Sequence, residues 1–296
     1  MDGVLLVDKP AGPTSHDVVQ RVRRAIGQSS VGHAGTLDPA ATGLLVLVVG
    51  RATRLASLLT HREKTYDASI RFGFSTTTDD LDGTALGPPC PALPADDAVR
   101  AALEKFHGTF LQTPPAFSAK KVGGERAHDR ARIADPLALK PVEVTVHSLE
   151  VLSRDGDLLH VRLSAAAGFY VRALARDLGE ALGCGAHLAA LRRIRSGSLD
   201  VHDALPLAEV ERLGRAVAAR ILPPAEALPG LQAVSVTEAG LRRVLHGNYL
   251  SPGHVAALPA PGTGTTEPVK VLGPDGRLIA LAMARGGALH PIVVLG

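Results

Sequence analysis

The run Leu44 to Val49 (LLVLVV), six consecutive aliphatic residues, limits the possible folds of this chain most strongly. Side chains of a strand alternate between two faces, so a continuous apolar run predicts a strand that is buried on both faces. The run is far too short to cross a bilayer as a helix, which needs about 20 apolar residues. The chain must therefore build a core around this strand. A length of 296 residues with a hydrophobic fraction of 46% suffices for one large domain, or one large and one small.

Alternating patterns predict further strands and helices around this run. Thr14 or Ser15 is predicted to cap the first helix, which Gly27 ends. The face formed by Tyr66, Ala68, Ile70 and Phe72 predicts a half-buried strand. The predicted strands are 3–7, 44–49, 65–74, 142–152 and 158–165, and the predicted helices are 15–26, 52–59, 96–107 and 169–182.

The composition of the sequence changes near residue 230, where the proline-containing segment ILPPAEALPG is typical of a linker. We therefore predict two domains, 1–230 and 231–296, the second small and rich in strands. It contains a predicted helix at 238–245 and predicted strands at 269–272, 278–283 and 292–295. The Pro274-Asp275-Gly276 turn is expected to join the first two of these strands as a hairpin.

The two cysteines, Cys90 and Cys184, are far apart in sequence and form no CxxC pair. This spacing argues against a disulfide scaffold and a thiolate zinc site, and it fits a reducing cytoplasm. The N-terminal MDGVLLVDKP lacks the basic region of a signal peptide, so we expect a cytoplasmic protein without membrane association. The chain also has no GxGxxG after a strand and no GxxxxGK[ST], the two common nucleotide-binding motifs.

The net charge of +3 does not by itself indicate a nucleic-acid partner, but the basic residues are clustered. Such clusters can follow a phosphate backbone if the fold brings them to one face, or they can simply be solvated surfaces. The clusters are Arg21, Arg23 and Arg24; Lys120, Lys121, Arg126, Arg130 and Arg132; and Arg192, Arg193 and Arg195.

The segment SVGHAGTLDP places Asp38 on a glycine- and proline-bounded turn just before the apolar strand. A carboxylate there can make an Asx turn before Pro39, which is a purely structural role. It can also be a catalytic acid held on a rigid loop, as a nucleophile requires. The isolated motif does not separate these two interpretations.

Six segments, in this order and spacing between residue 3 and about residue 200, resemble the motifs of the bacterial tRNA pseudouridine synthase B (TruB) family. The C-terminal module is similar, more weakly, to the PUA-type RNA-binding domain that the family often carries. The segments are GVLLVDKPAGPTSHDVV, VGHAGTLDPAATGLLVLVVGRATRL, KTYDASIRFGFSTTTDDLDG, QTPPAFSAKKVGGERAHDRAR, GFYVRALARDLG and LRRIRSG.

The resemblance implies an α+β pseudouridine synthase fold, with a mixed, largely antiparallel sheet flanked by helices, followed by a small PUA-like domain. It also implies an isomerase that flips uridine 55 out of the T loop of tRNA and converts it to pseudouridine. The reaction exchanges a C1′–N1 bond for a C1′–C5 bond without redox change. We therefore expect no cofactor, no metal, the T arm of tRNA as partner, and no obligate protein partner.

By the same resemblance, Asp38 is the essential carboxylate and Arg172 its charge partner. Tyr66, Tyr170 and Leu191 are implied to bound the uridine pocket. From the residues alone, Arg172 is equally compatible with a surface position, and Tyr66 and Leu191 with ordinary core packing. Which bond Asp38 attacks is left open, at the uracil ring, at C1′, or through proton loss at C2′.

His33 and Lys9 are implied to have accessory roles. No second ligand stands at metal-binding spacing near His33, so the resemblance favours a contact with the RNA loop after base flipping. Lys9 is expected to support the loops of the active site.

The segment 118–132 is predicted to bind the RNA backbone, with Lys120, Lys121 and Arg126 as the contacts. Thr78 to Gly83 (TDDLDG) superficially resembles a calcium loop but lacks the remaining ligands, so a solvated turn is expected. The chain also departs from the common family pattern at Ala34, Phe169 and His128, none of which removes a catalytic group.

Three alternatives compete with the isomerase. An RNA-folding protein with secondary chemistry would hold the elbow of tRNA open so that it can refold, and an effect of Asp38→Asn on binding alone would favour it. A nucleotidyltransferase would use GHAG as a phosphate site, but the required βαβ context and second motif are absent from the sequence. A guide-RNA-dependent synthase would usually carry a Lys-rich extension, which is also absent.

Overall fold

The computed structural model describes residues 1–117, 139–256 and 267–296, together with the backbone of two short paired strands between residues 121 and 126. Within these residues, one mixed sheet has ten strands and a second, C-terminal sheet has four. Helices pack on both sheets. The predicted α+β class is therefore confirmed.

The larger sheet has the strand order β12-β1-β3-β10-β4-β9-β8-β5, with β2 beside β3 and β11 beside β10. Only the pairs β1–β12 and β3–β10 are parallel among its described strands, so the sheet is largely antiparallel, as predicted. In chain order the strands are Gly3–Lys9 (β1), Val31–His33 (β2), Thr42–Val49 (β3), Lys64–Phe72 (β4), Gly108–Gln112 (β5), the separate pair Lys121–Val122 (β6) and Glu125–Arg126 (β7), Val142–Asp155 (β8), Leu158–Ala165 (β9), Ala186–Ser196 (β10), Leu199–Asp200 (β11) and Leu205–Pro206 (β12).

The helices flank these strands. The α-helices are Ser15–Ile26 (α1), Ala56–Thr60 (α2), Asp96–Leu103 (α3), Val171–Ala181 (α4), Leu207–Leu213 (α5) and Glu238–Leu245 (α6). Short 3-10 helices lie at Gly50–Leu55, Glu104–Phe106, Val201–Asp203, Gly214–Arg220 and Pro252–His254.

Strand β3 is central, and its alternate side chains enter two different cores. Leu44, Val46 and Val48 pack in one cluster with residues of the C-terminal part of the chain. Leu45 and Leu47 pack in another cluster, against helix α1. Both faces are therefore buried, which confirms the prediction from the apolar run.

The predicted caps of α1 are also confirmed. The Thr14 hydroxyl accepts a hydrogen bond from the Asp17 amide at 3.0 Å, and the Asp17 carboxylate accepts from the Thr14 amide at 2.9 Å. This reciprocal capping box satisfies two amides that the helix leaves unpaired. Gly27 ends the helix in the left-handed conformation.

Several helix boundaries differ from the predictions because parts of the predicted helices are 3-10 turns or extended backbone. The predicted helix 52–59 begins as the 3-10 turn Gly50–Leu55 before α2. The predicted helix 96–107 becomes 3-10 after Leu103. Helix α4 begins at Val171, two residues later than predicted, because Tyr170 is still extended.

The C-terminal sheet has the order β13-β14-β15-β16 and its own core. Its strands are Ala233–Ser235 (β13), Val269–Leu272 (β14), Leu278–Arg285 (β15) and Ala288–Val294 (β16). The predicted hairpin turn at 274–276 joins β14 and β15, and Gly273 donates to the Arg277 carbonyl at 2.8 Å. The boundary at 230/231 itself stays a prediction.

Gly43 lies where β3 begins its contact with β10. Its φ of +94° is in the left-handed region, and a Cβ there would lie 2.3 Å from the Arg193 carbonyl oxygen. Glycine at this position therefore allows β10 to approach the loop that carries Asp38.

We expect Gly43→Ala to lower the free energy of unfolding by roughly 3 kcal/mol or more, since backbone strain and a clash with main-chain atoms combine. Gly156→Ala is the matched control, because φ is also positive (+58°) but nothing lies within 4 Å of the added Cβ. That control should cost only about 1 kcal/mol. Urea unfolding of both variants measures the difference, and equal losses would contradict the close approach at Gly43.

Candidate active site

The turn that carries Asp38 is fixed by helix α1. The buried Ser15 hydroxyl donates to the Leu37 carbonyl at 2.9 Å and accepts from the Leu37 amide at 2.8 Å. Immediately after Asp38, the Pro39 carbonyl accepts from the Gly12 amide at 2.9 Å. Both sides of Asp38 are thus held by the N-terminal segment, as a rigid catalytic loop requires.

Arg172 lies in the first turn of α4 and contacts the carboxylate of Asp38. Its Nε is 2.9 Å from Asp38 Oδ2 and 3.7 Å from Asp80 Oδ2. The guanidinium also donates to the carbonyls of Thr78 at 3.2 Å and Phe117 at 2.8 Å. Its side chain is only 7% exposed, so Arg172 is not a surface residue. The expected pairing with Asp38 is present in the geometry.

The carboxylate of Asp38 experiences opposing electrostatic effects. Burial raises the pKa of Asp38 above its ordinary value, and the nearby Asp80 carboxylate raises it further. The Arg172 guanidinium and, more weakly, Lys9 act in the opposite direction on this pKa. The Asp38 side chain nevertheless remains 39% exposed to the cavity beside it. A poorly hydrated but accessible carboxylate with a fixed cation is suited to nucleophilic or proton-transfer chemistry.

A cavity of about 450 Å³ opens beside this ion pair. Tyr66, Tyr170 and Leu191, all predicted to bound the uridine, line it together with Asp38 and Arg172. The volume lies within the usual range for small-ligand pockets. The fold therefore brings five of the predicted site residues to one cavity.

The backbone of Tyr170 is held by a residue that the sequence did not point to. Gln112 at the end of β5 accepts from the Tyr170 amide at 3.0 Å and donates to its carbonyl at 3.1 Å. Gln112 is almost fully buried, at 1% exposure. This two-sided contact fixes the residue before α4, where the cavity wall begins.

Arg193 is a second functional candidate whose position the sequence did not reveal. Its basic neighbours in sequence indicate a residue that faces RNA or solvent, but its side chain is fully buried. It donates to the carbonyls of Leu44, Thr36 and Gly35 at 2.7, 3.3 and 3.1 Å and contacts the Tyr66 hydroxyl. The surface interpretation is wrong for Arg193, because its buried guanidinium donates its hydrogen bonds to backbone carbonyls in and next to the Asp38 loop.

Lys64 lines the same cavity two residues before Tyr66, and the sequence did not point to it either. Its ammonium donates to the carbonyls of Thr60 and Arg62, each at 2.5 Å. Burial, reinforced by the charge of Arg193, lowers the pKa of Lys64 to about 8. Strand alternation places Lys64 and Tyr66 on the same face of β4, and this pattern could have predicted from the sequence that Lys64 lies at the cavity.

Lys9 is fully buried beneath the loops. Its ammonium donates to the carbonyls of Pro10, Pro13 and Pro39 at 3.0, 2.8 and 3.0 Å. Burial lowers the pKa of Lys9 to about 8, although the negative charge of Asp38 acts to raise it. These contacts agree with the expected support of the active-site loops.

His33 ends the short strand β2 and is not among the residues that line the cavity. Its ring is half-buried, and Nδ1 has no hydrogen-bond partner among the described residues. Burial lowers the pKa of His33, and the charge of Arg193 acts in the same direction. Its role at the RNA loop stays a prediction.

In the loop 76–83, the predicted solvated turn 78–83 is only partly solvated, since Leu81 and Asp82 are exposed but Asp79 and Asp80 are not. The side chains of Asp79 and Asp80 are each only 13% exposed and face arginines of α4. No group of three or more potential metal ligands occurs in the described parts of the chain. The buried carboxylates of this loop belong to the surroundings of Arg172.

The predicted backbone contacts in the segment 118–132 mostly lie outside the described residues. Lys120 is among the undescribed residues, and for Lys121 and Arg126 only the pairing of the strand backbone is described. Among the described helices, none is long and apolar enough to span a membrane.

Two family models match adjacent parts of the chain. Residues 23–171 match the TruB family pseudouridylate synthase N-terminal domain, and residues 172–228 match the tRNA pseudouridylate synthase B C-terminal domain. Both matches end before residue 231, where the small C-terminal module is predicted to begin.

Relatives that match over nearly their full length are named tRNA pseudouridine synthase B. A tRNA pseudouridine synthase B of Thermobifida fusca is 47% identical over 99% of this chain and 98% of its own length. One of Solibacter usitatus is 41% identical over 100% of both chains.

A solved structure shares the architecture of the chain. The crystal structure of a Cbf5-Nop10-Gar1 complex contains a chain that matches with a TM-score of 0.78 and 27% identity, covering 99% of this chain and 85% of that one. This likeness confirms the predicted pseudouridine synthase fold. Together with the family models and the full-length relatives, it establishes that this chain belongs to the TruB family of pseudouridylate synthases.

Proposed function

We propose that this chain converts uridine to pseudouridine in transfer RNA and that its target is uridine 55 of the T loop. The observation that carries the proposal is the Asp38–Arg172 ion pair, with 2.9 Å between Oδ2 and Nε, at a cavity bounded by two tyrosines. The names of the full-length relatives support tRNA as the substrate. Position 55 follows from the family resemblance of the motifs.

The isomerisation needs no net change of atoms. The C1′–N1 bond breaks, the uracil turns over while bound, and a C1′–C5 bond forms; C5 loses a proton and N1 gains one. Asp38 is the group that acts on the nucleoside, at the ring, at C1′ or by proton removal at C2′. Holding the detached uracil in the cavity keeps its recombination with the ribose effectively intramolecular.

Burial and Arg172 act in opposite directions on the charge state of Asp38. Burial of a carboxylate favours its protonated form, whereas an adjacent guanidinium favours the ionised form that a nucleophile or base needs. Arg172 is itself buried and is held by backbone carbonyls, so its charge stays next to Asp38 while the RNA binds. We assign Arg172 this role.

Tyr66, Tyr170 and Leu191 are proposed to enclose the uracil. An aromatic ring can lie against the base, and the Tyr66 hydroxyl can also carry a proton during product formation. Leu191 provides an apolar wall, and Lys9 supports the loop behind Asp38 through the Pro39 carbonyl.

The target nucleotide must leave the T loop before it can reach Asp38. Extruding a base costs a few kcal/mol, which contacts with the opened RNA must offset. We propose that His33 contributes there and that Lys120, Lys121 and Arg126 neutralise backbone phosphates.

Asp38→Asn is expected to abolish turnover, lowering the rate by at least about 1,000-fold, and to leave RNA affinity nearly unchanged. The assay follows tritium release from a T-arm stem-loop labelled at C5 of uridine 55 alone, with binding measured separately by fluorescence anisotropy. Asp82→Asn is the matched control, since Asp82 is an exposed carboxylate of the neighbouring loop. Tritium release by the Asp38→Asn variant at the parent rate would reject the proposal, and a loss of binding alone would favour the RNA-folding alternative.

Asp38→Asn is also expected to raise the free energy of unfolding at neutral pH. The folded-state pKa of Asp38 is raised, mainly by burial, so the ionised carboxylate destabilises the fold once the pH exceeds its unfolded pKa. The stability difference should be small below about pH 4 and grow as the pH rises through the raised pKa. Urea unfolding across this pH range tests it, with Asp82→Asn again as control. A variant that is less stable than the parent at pH 7 would contradict the dominance of burial over the Arg172 contact.

Replacing Lys120 and Lys121 together by Ala should weaken T-arm binding, because fewer phosphates are neutralised. The slope of log Kd against log salt should fall by about 0.7 to 0.9 for each phosphate that the double variant leaves without a lysine. Lys105→Ala is the control, because Lys105 is an exposed lysine of the Glu104–Phe106 turn. An unchanged salt slope in the double variant would show that these lysines do not neutralise phosphates.

A further inference from the structure

Arg176 follows Arg172 by one helical turn on α4, so the two side chains leave the same face of the helix. The Arg176 guanidinium contacts three groups. It donates to the Asp79 carboxylate at 3.0 Å, to the Asp177 carboxylate at 2.8 Å and to the Thr113 carbonyl at 2.7 Å. With its side chain 25% exposed, Arg176 lies at the edge of the site, outside the cavity lining.

Arg172 and Arg176 bridge the same two segments of the chain. Arg172 donates to the Thr78 carbonyl and to the Phe117 carbonyl. The contacts of Arg176 lie next to these in sequence, one in the loop 76–83 and one in the segment 113–117. Arg176 therefore holds in place the two segments whose carbonyls accept hydrogen bonds from Arg172.

The loop 76–83 contains one residue in an uncommon backbone conformation. Asp79 is the only non-glycine residue with positive φ in the described parts of the chain, at +63°. Its carbonyl accepts from the Leu188 amide at 2.9 Å, and the next residue, Asp80, directs its carboxylate to within 3.7 Å of Arg172. A left-handed conformation outside glycine persists only where its surroundings hold it.

The electrostatics of Asp79 agree with this picture. Burial raises the pKa of Asp79, and the nearby charges of Arg176 and Arg172 act against that rise. Without Arg176, the carboxylate would lose its hydrogen-bonded cation in a poorly hydrated place. The loop would then gain by turning Asp79 outward, which would move the Thr78 carbonyl and Asp80 away from Arg172.

We propose that Arg176 is a positioning residue for the isomerisation, acting through Asp79 and Thr113 on the hydrogen bonds that hold Arg172 against Asp38. The inference rests on the proposed function of the chain. Arg176 does not touch the nucleoside. Its effect is therefore on the rate of the bound complex rather than on RNA affinity.

The test compares variants of the full chain in single-turnover tritium release and in T-arm binding. Arg176→Gln should slow the single-turnover rate by about tenfold or more, since small misplacements at a reacting centre are costly, while the Kd changes by no more than about twofold. Arg176→Lys should restore most of the rate, because it keeps a cation beside Asp79. Asp79→Asn should slow the reaction similarly, as Asn tolerates the left-handed conformation but cannot form the ion pair. The double variant Arg176→Gln with Asp79→Asn should be no slower than the slower single variant.

Arg154→Gln is the matched control. Arg154 also donates to a carboxylate, Asp96 at 2.5 Å, and to a backbone carbonyl, Pro94 at 2.7 Å, but none of these groups lines the cavity. Its rate should equal that of the parent. Thermal melting followed by circular dichroism establishes that each variant is folded. If Arg176→Gln does not fold, the rate of Asp79→Asn tests the inference in its place.

The outcomes separate the proposed function from the role of Arg176. A parent chain that releases no tritium rejects the proposed function and this inference with it. With an active parent, the inference alone is overturned if folded Arg176→Gln or folded Asp79→Asn retains the parent rate. It is also overturned if rate and affinity fall together, or if Arg154→Gln slows the reaction equally.

Discussion

The ion pair between Asp38 and Arg172 is the contact on which the site depends. It joins a turn near the N-terminus to the first turn of α4, and it places a carboxylate beside a buried guanidinium. Because a buried arginine must also satisfy its remaining N–H groups, Arg172 draws in the carbonyls of Thr78 and Phe117. Two segments that do not line the cavity are thereby held to the residue that does, and Arg172 is fixed in place beside Asp38.

A second arginine also holds the turn that carries Asp38. Arg193 on β10 donates to carbonyls of residues 35, 36 and 44, and Gly43 leaves β10 the room to come close. The turn with Asp38 is thus fixed by cations and a serine hydroxyl rather than by regular secondary structure. Preorganisation of this kind is what a reaction with a detached, rotating base requires.

Much of the fold and part of the site could be predicted from local patterns. The apolar run Leu44–Val49 specified the central strand, and Thr14 with Asp17 specified where α1 begins. Motif order also pointed to Asp38, Arg172, Tyr66, Tyr170 and Leu191, which share one cavity. Gln112, Arg193 and the loop with Asp79 and Asp80 were missed or misread, because a polar residue in an isolated segment looks the same whether it will be buried or solvated.

The sequence by itself determined the periodic elements and the glycine and proline turns, since these depend on neighbours along the chain. Only the tertiary structure decided which charges are buried and paired. Arg193 and Arg192 are adjacent in a basic run. Arg193 nevertheless donates to backbone carbonyls in the core, whereas Arg192 forms a half-exposed ion pair with Asp8. The physical reason is that burial and pairing arise from strands and loops distant in sequence, and no local pattern contains that information.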